Sequence, residues 1–293
     1  MEQKLHTPEG VRDIYNKECE IKLTLQKKLS TVLHSYGYQD IQTPTFEFFD
    51  TFGREIGTTP SKDLYKFFDR EGNILALRPD ITPSIARAVA TLFETEDFPI
   101  RLCYAGNTFI NHSSYQGRLK ENTQLGAELI GVDSIEADAE MLAMVVDGLK
   151  KTGLKEFQVS IGHVDFILSL FQAAGLEEDE AEELRTLIAN RNFFGVEEVL
   201  DHMDVADSVK EAFHLLPELT GGAEILDQAL SVAPGEKAGQ AIHRLKQIDE
   251  LLRLYGVEDH ITFDLSMSGN YGYYTGIIFR AYTYGTGDAV VRG

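Results

Sequence analysis

Between Asn16 and Tyr36, apolar side chains recur at Ile21, Leu25, Leu29, Val32 and Tyr36, the three-and-four spacing that lines one face of a helix. Gly37 follows where a helix C-terminus favours glycine, so the spacing predicts a helix over this stretch with that stripe turned inward. A short extended segment, Tyr38 to Thr43, is closed by Pro44, and the apolar run Ile74 to Leu77 predicts a buried strand. Alternation then takes over. Ile100, Leu102 and Tyr104 alternate with Arg101 and Cys103, while Leu125, Ala127 and Leu129 face away from Gln124, Gly126 and Glu128. These two strands, Ile100 to Phe109 and Thr123 to Ile130, are expected to form a long antiparallel hairpin about the polar loop Ile110 to Asn122. Asp133 with Glu136 predicts a capping box that opens a helix running to about Lys151, with Ile135, Leu142, Val145, Val146 and Leu149 inward.

Phe157, Val159 and Ile161 mark another alternating strand, after which the pattern changes. From about Val164 to Tyr255 it is helical and acidic, broken by turns at Gly221-Gly222 and Pro234-Gly235, and it ends on the stripe Ile242, Leu245, Ile248, Leu252 and Tyr255. Strand character returns where Ile261, Phe263, Leu265 and Met267 alternate with Thr262, Asp264 and Ser266, again through Tyr273 to Tyr284, and at Ala289 to Val291. Strands on both sides of a helical block predict one mixed sheet assembled from both ends of the chain. Segregated runs of strands and helices give an α+β fold, with a core of residues 1–163 and 256–293 and a mostly helical insertion at 164–255.

The 293 residues can bury a large core, and no run approaches the ~18 to 20 continuous apolar residues of a membrane span. Met1 to Gly10 lacks the basic and apolar regions of a signal peptide, so no membrane is expected and the cytoplasm is the expected compartment. Cys19 and Cys103 lie far apart and match no metal-ligand spacing; they read as reduced cysteines, with no metal and no cofactor expected. Charge narrows the partners. With 47 acidic against 27 basic residues the formal net charge is −20, and no Lys/Arg-rich run stands out, which counts against a tRNA partner.

Five segments in order resemble histidyl-tRNA synthetases. Thr7-Pro-Glu-Gly-Val-Arg-Asp13 resembles the opening of that family, and Gly37 to Pro44 followed by Phe46-Glu47 resembles class II motif 1, which builds the dimer interface there. Leu77-Arg-Pro-Asp-Ile-Thr82 is similar to the family's Leu-Arg-Pro-Glu-Gly-Thr, Gln124 to Gly131 to the strand of motif 2, and Tyr273-Tyr-Thr-Gly276 to the histidine-binding Tyr-Tyr signature. The resemblance spans roughly residues 7 to 293 and implies a class II synthetase-like antiparallel sheet flanked by helices. It further implies that Asp80, Thr82, Gln124 and Glu128 grip the amino group of histidine and that Tyr273 and Tyr274 wall its imidazole. Read from the residues alone, Gln124 and Glu128 share the polar face of a strand, which solvent could equally cover.

The departures from the family are selective. Motif 2 reads Phe-Arg-x-Glu in histidyl-tRNA synthetases, whereas here Ile110 replaces the phosphate arginine and His112 the glutamate; Gly269 stands where the second catalytic arginine precedes the Tyr-Tyr signature. Arginines at those positions stabilise the charge that develops on phosphoryl oxygens, and losing one such donor typically costs about 10²- to 10³-fold in rate. Arg118, in the following loop, resembles a loop arginine of the family. The run Gly287 to Gly293 stops before the family's Gly-Arg-Tyr element and motif 3, so the resemblance implies a core cut short at its C-terminal end, with no anticodon-binding domain.

A synthetase scaffold with a histidine side but no catalytic arginines resembles the regulatory subunits of ATP phosphoribosyltransferase. That resemblance implies a noncatalytic partner of the short-form catalytic subunit, a homodimer within a hetero-oligomer, needed for activity and for feedback control by L-histidine in histidine biosynthesis. Two other readings remain open from the residues: a diverged histidine-activating ligase, and a stand-alone histidine-sensing module.

Overall fold

The first helix forms as α1, Asn16–Ser35, in a computed structural model that describes residues 5–53, 59–112, 118–267 and 274–293. Gly37 ends it at φ +85°, a conformation that glycine adopts without a Cβ clash. The Gly37 N–H then donates to the His34 carbonyl at 3.0 Å and the Tyr38 N–H to the Leu33 carbonyl at 3.2 Å, the paired bonds of a Schellman cap. The stripe on α1 differs from expectation. Val32 and Leu33 are buried, but Ile21 and Leu25 are exposed by 50% and 37%. Periodicity shows which positions share a helix face, not whether anything in the same chain covers that face.

The chain divides into two compact units, Met1–Val132 and Asp133–Gly293. In the first, β1 (Gln39–Asp40) pairs parallel with β5 (Ile100–Phe109), which pairs antiparallel with β6 (Glu121–Ile130) from Ile100↔Ile130 to Phe109↔Glu121. The hairpin is the one the alternation predicts. A second sheet holds β2 (Phe46–Phe48), β4 (Ile74–Leu77) and β3 (Lys66–Phe68) in that order, followed in the chain by α3 (Thr82–Leu92). The short helix α2 (Asp50–Gly53) follows β2. Strand β4 is less buried than its apolar run suggests, since only Ala76 is fully covered and Ile74 is 45% exposed. Ile81 and Ile85 at the start of α3 pack on Ile100, Leu102 and Tyr104 of β5, which fixes the α3 N-terminus against the hairpin.

The second unit opens with α4 (Ile135–Thr152), capped by Ser134, whose Oγ accepts from the Ala137 N–H at 3.2 Å. The expected cap, Asp133, instead accepts from Arg244 Nη2 at 2.7 Å. Aspartate and serine both suit a cap, and a partner 111 residues away decides between them. Next come β7 (Phe157–His163), α5 (Val164–Ala173), α6 (Glu178–Ala189), α7 (Phe193–Asp201) and α8 (Asp207–Leu215). Then follow β8 (Thr220–Gly221), α9 (Ile225–Ser231), α10 (Gly235–Tyr255), β9 (Ile261–Asp264), β10 (Ile277–Thr283) and β11 (Val291–Arg292).

The sheet order in this unit is β11-β10-β7-β9-β8, with β7 parallel to β9 and antiparallel to β10. Strands before and after the helical segment therefore do share a sheet. The expectation of one sheet for the whole chain is corrected: the described strands lie in three, because alternation marks a strand's faces and not its hydrogen-bonded partner. Ile242, Leu245, Ile248 and Leu252 of α10 are fully buried with Leu142 and Val146 of α4 and with Ile161 and Phe263 of the sheet. Tyr255, the last member of that stripe, is 49% exposed. Among the described residues no helix is long and apolar enough to cross a membrane.

Candidate functional site

Four of the six residues expected to hold an amino acid meet within the first unit. Asp80 lies in the turn between β4 and α3, Thr82 opens α3, and Gln124 and Glu128 stand on one face of β6 with Gly126 between them. Gln124 Nε2 donates to Asp80 Oδ1 at 2.9 Å, while its Oε1 accepts from the Ile81 N–H at 3.3 Å. Thr82 Oγ1 donates to Glu128 Oε1 at 2.8 Å, and the Thr82 N–H donates to Asp80 Oδ1 at 3.3 Å. The segment 80–82 and the strand β6 are thereby joined side chain to side chain.

Tyr104 completes the cluster, and the sequence reading did not include it. Its hydroxyl donates to Glu128 Oε1 at 3.2 Å and accepts from Gln124 Nε2 at 3.4 Å. The register explains its position: Tyr104 on β5 lies directly opposite Gly126 on β6. A Cβ at Gly126 would sit 2.5 Å from the Tyr104 hydroxyl and 2.6 Å from Cζ, so only glycine leaves room for the phenol between Gln124 and Glu128. A tyrosine on one strand registered with a Gln-x-Gly-x-Glu run on the next is the signal that could have found it.

The turn bearing Asp80 is anchored by its neighbour Arg78, which is 7% exposed. Arg78 Nε donates to the Asn107 carbonyl at 2.8 Å, and Nη1 donates to the carbonyls of Thr43 at 2.9 Å and Pro44 at 3.3 Å. This guanidinium therefore binds backbone and not a carboxylate of the cluster. Gly106 allows the approach, since a Cβ there would collide with Arg78 Nη2.

Electrostatically the cluster is acceptor-rich. Burial pushes the Glu128 carboxyl above its ordinary value; the Thr82 hydroxyl pulls it back, the negative Asp80 raises it again, and the Tyr104 hydroxyl lowers it. Burial also raises the Tyr104 phenol, with the charge of Glu128 adding to it. Among the described residues no Lys, Arg or His pairs with Asp80 or Glu128. Two carboxylates, an amide and two hydroxyls without a cation form a complement to an ammonium group, which would relieve both desolvation and mutual repulsion.

Of the remaining expected residues, Tyr274 belongs to the second unit, where it packs against the buried trio Val164, Met267 and Ile278. Tyr273 and Gly269 lie outside the described residues. Ile110 follows β5, half-buried, with its N–H donating to the Lys120 carbonyl at 2.9 Å; His112 is half-buried and Arg118 exposed.

The family model for histidyl-tRNA synthetase matches residues 10–293. An ATP phosphoribosyltransferase regulatory subunit from Acetivibrio thermocellus is 39% identical over 292 residues, covering 100% of this chain and 70% of that protein. A protein of the same name from Desulforamulus reducens is 39% identical over 285 residues, 97% of this chain and 70% of that one. Among solved structures, an ATP phosphoribosyltransferase regulatory subunit/histidyl-tRNA synthetase from Bacillus halodurans superposes with a TM-score of 0.92 at 31% identity, covering 100% of this chain and 76% of that one. Histidyl-tRNA synthetase from Nostoc, at 19% identity and a TM-score of 0.81 over 96% of this chain and 66% of that one, shares the fold.

Proposed function

The chain belongs to the ATP phosphoribosyltransferase regulatory subunits, a family with the histidyl-tRNA synthetase fold, and from that premise we propose that it binds the short-form catalytic subunit, supports its activity and transmits feedback inhibition by histidine. It acts as a regulator and not as the catalyst. The observation that carries the histidine part is the bonded cluster of Asp80, Thr82, Tyr104, Gln124 and Glu128, whose two carboxylates have no basic partner among the described residues. In this reading the ammonium of histidine lies among these acceptors. Ile110 and Gly269 offer no side-chain donor to a phosphate, so aminoacyl-adenylate formation is absent, and tRNA is not a partner.

Feedback requires that histidine bind one state of the assembly more tightly than another; a coupling of about 1 to 3 kcal/mol corresponds to about 5- to 150-fold modulation. The chain acts as a homodimer within the hetero-oligomer. The exposed Ile21 and Leu25 on α1, apolar positions that their own chain leaves uncovered, support that part of the proposal.

The test adds this chain to the short-form catalytic subunit and measures phosphoribosyl transfer with and without histidine. Stimulation by the chain, and inhibition by histidine only when the chain is present, is the expected result; a catalytic subunit indifferent to the chain refutes the proposal. ATP–pyrophosphate exchange driven by histidine should stay at background, and a clear exchange signal would favour a ligase.

A further inference from the structure

Away from the acceptor cluster, three side chains of different chemical hardness converge where α1, β1 and β5 meet. His34 lies in the last turn of α1, Asp40 on β1 and Cys103 on β5, and the parallel register places Asp40 directly beside Cys103. His34 Nε2 is 3.1 Å from Asp40 Oδ2, and Cys103 Sγ is 3.5 Å from Asp40 Oδ1. One ligand atom from each of the three lies within 4.8 Å of the others.

We propose that His34, Asp40 and Cys103 form a binding site for a borderline divalent cation of the zinc class. Tetrahedral zinc, with bonds of about 2.0 Å to nitrogen and oxygen and about 2.3 Å to sulfur, separates an N–O ligand pair by about 3.3 Å and an S–O pair by about 3.5 Å. The separations lie near those edges but end on different oxygens of Asp40, Oδ2 toward His34 and Oδ1 toward Cys103, so admitting the ion takes a rotation of the carboxylate and a drawing-in of ligand atoms that already lie within 4.8 Å of one another. The donor set of imidazole, carboxylate and thiolate suits zinc or cobalt(II) and not magnesium or calcium, which prefer oxygen alone. Three protein ligands leave the fourth position to water.

The access is also suitable. His34 and Asp40 are exposed and give the ion a path from solvent, whereas Cys103 is 1% exposed and places its sulfur at the floor of the site. Without a cation the thiol keeps its proton, because burial and then the bond to Asp40 push it up to about 12. Binding therefore exchanges one proton for the metal: the S–H bond breaks, a metal–sulfur bond forms, and the proton leaves to solvent. His34 binds as neutral imidazole through Nε2 and Asp40 as carboxylate. The ion would tie the C-terminal turn of α1 to the β1–β5 pair, elements that no disulfide joins. Linear spacing could not announce this site, since its ligands stand 6 and 63 residues apart.

The test is titration of the intact chain with cobalt(II), followed by absorption and equilibrium dialysis, then displacement with zinc. The expected result is one cobalt per chain with a thiolate-to-cobalt charge-transfer band that zinc abolishes. Cys103→Ser should lose the band. His34→Ala and Asp40→Asn, at exposed positions that leave the core intact, should each weaken binding by more than about tenfold, given that even outer-shell partners of metal ligands contribute that much. Cys19→Ser should bind as the parent does. No cobalt binding by the parent, binding without a thiolate band, a band that survives Cys103→Ser, or affinity unchanged by both His34→Ala and Asp40→Asn would each overturn the proposal.

Discussion

The Thr82 hydroxyl donates to Glu128 at 2.8 Å, joining the first residue of α3 to a strand position 46 residues later in the chain. That bond leaves a partly buried carboxylate held by hydroxyls and, among the described residues, by no cation. Its energetics favour an incoming positive charge, because the ionised form is desolvated without being neutralised. The behaviour of Glu128 on titration follows from the same arrangement.

Burial holds the Glu128 carboxyl above its ordinary value of 4.5. A folded-state value raised above the unfolded one contributes stability that is complete below 4.5 and is lost as pH rises through the raised value. An ammonium ligand needs the ionised form, so the sign reverses for binding: histidine affinity should fall as pH drops through the raised value. Glu128→Gln should bind histidine more weakly at neutral pH and lose that acid-side dependence. Calorimetric titration of both proteins across the acidic range checks this, and parallel pH profiles would contradict it.

Gly126→Ala tests whether Tyr104 belongs to the working site. The added Cβ would lie 2.5 Å from the phenol oxygen, so the ring must leave its place over β6 and release Glu128. Overpacking of this kind typically costs about 1 to 3 kcal/mol, which unfolding in urea would register. Tyr104→Phe removes the bond to Glu128 without the clash. It should reduce the histidine response while leaving stability close to that of the parent.

Arg78→Ala should unfold more readily than any change within the acceptor cluster. The guanidinium satisfies the carbonyls of Thr43, Pro44 and Asn107 from a buried position. Each bond lost contributes a net of about 0.5 to 1.5 kcal/mol, so a loss of about 2 to 4 kcal/mol is expected in urea denaturation. Arg78→Lys should recover only part of it, since one ammonium cannot match the geometry of the fork.

Much of this arrangement was legible in the residues. The ten-residue hairpin of β5 and β6 follows from alternation, and the buried face of α10 follows from the spacing of Ile242, Leu245, Ile248 and Leu252. Asp80, Thr82, Gln124 and Glu128 were legible only through resemblance, and the structure adds the bonds that connect them. Tyr104 was not legible as a site residue because its role depends on cross-strand register, which pairs it with a glycine. The exposed half of the α1 stripe, the choice of Ser134 over Asp133 as a cap, and the approach of His34, Asp40 and Cys103 were hidden for the same reason. Each depends on what a distant segment supplies or fails to supply.

His163 provides the last prediction and concerns the second unit alone. Its Nδ1 accepts from the Asp165 N–H at 3.2 Å and so caps α5, a role that requires that nitrogen to carry no proton. Burial holds the imidazole below its ordinary value of 6.5; the nearby Asp165 carboxylate raises it, and the positive Arg244 and Lys237 lower it further. Because the unfolded histidine takes up a proton more readily, the contribution to stability is complete above 6.5 and is lost as pH falls through the depressed value. Protonation also converts the cap acceptor into a donor facing another donor, so α5 should fray at its N-terminus as the protein is acidified. Asparagine can accept the same N–H without titrating, so His163→Asn should stay stable further into the acidic range than the parent, whereas His163→Ala should lose the cap at every pH. Thermal unfolding of the three proteins over a series of mildly acidic buffers separates these outcomes; equal acid sensitivity in parent and His163→Asn would show that protonation elsewhere governs acid unfolding.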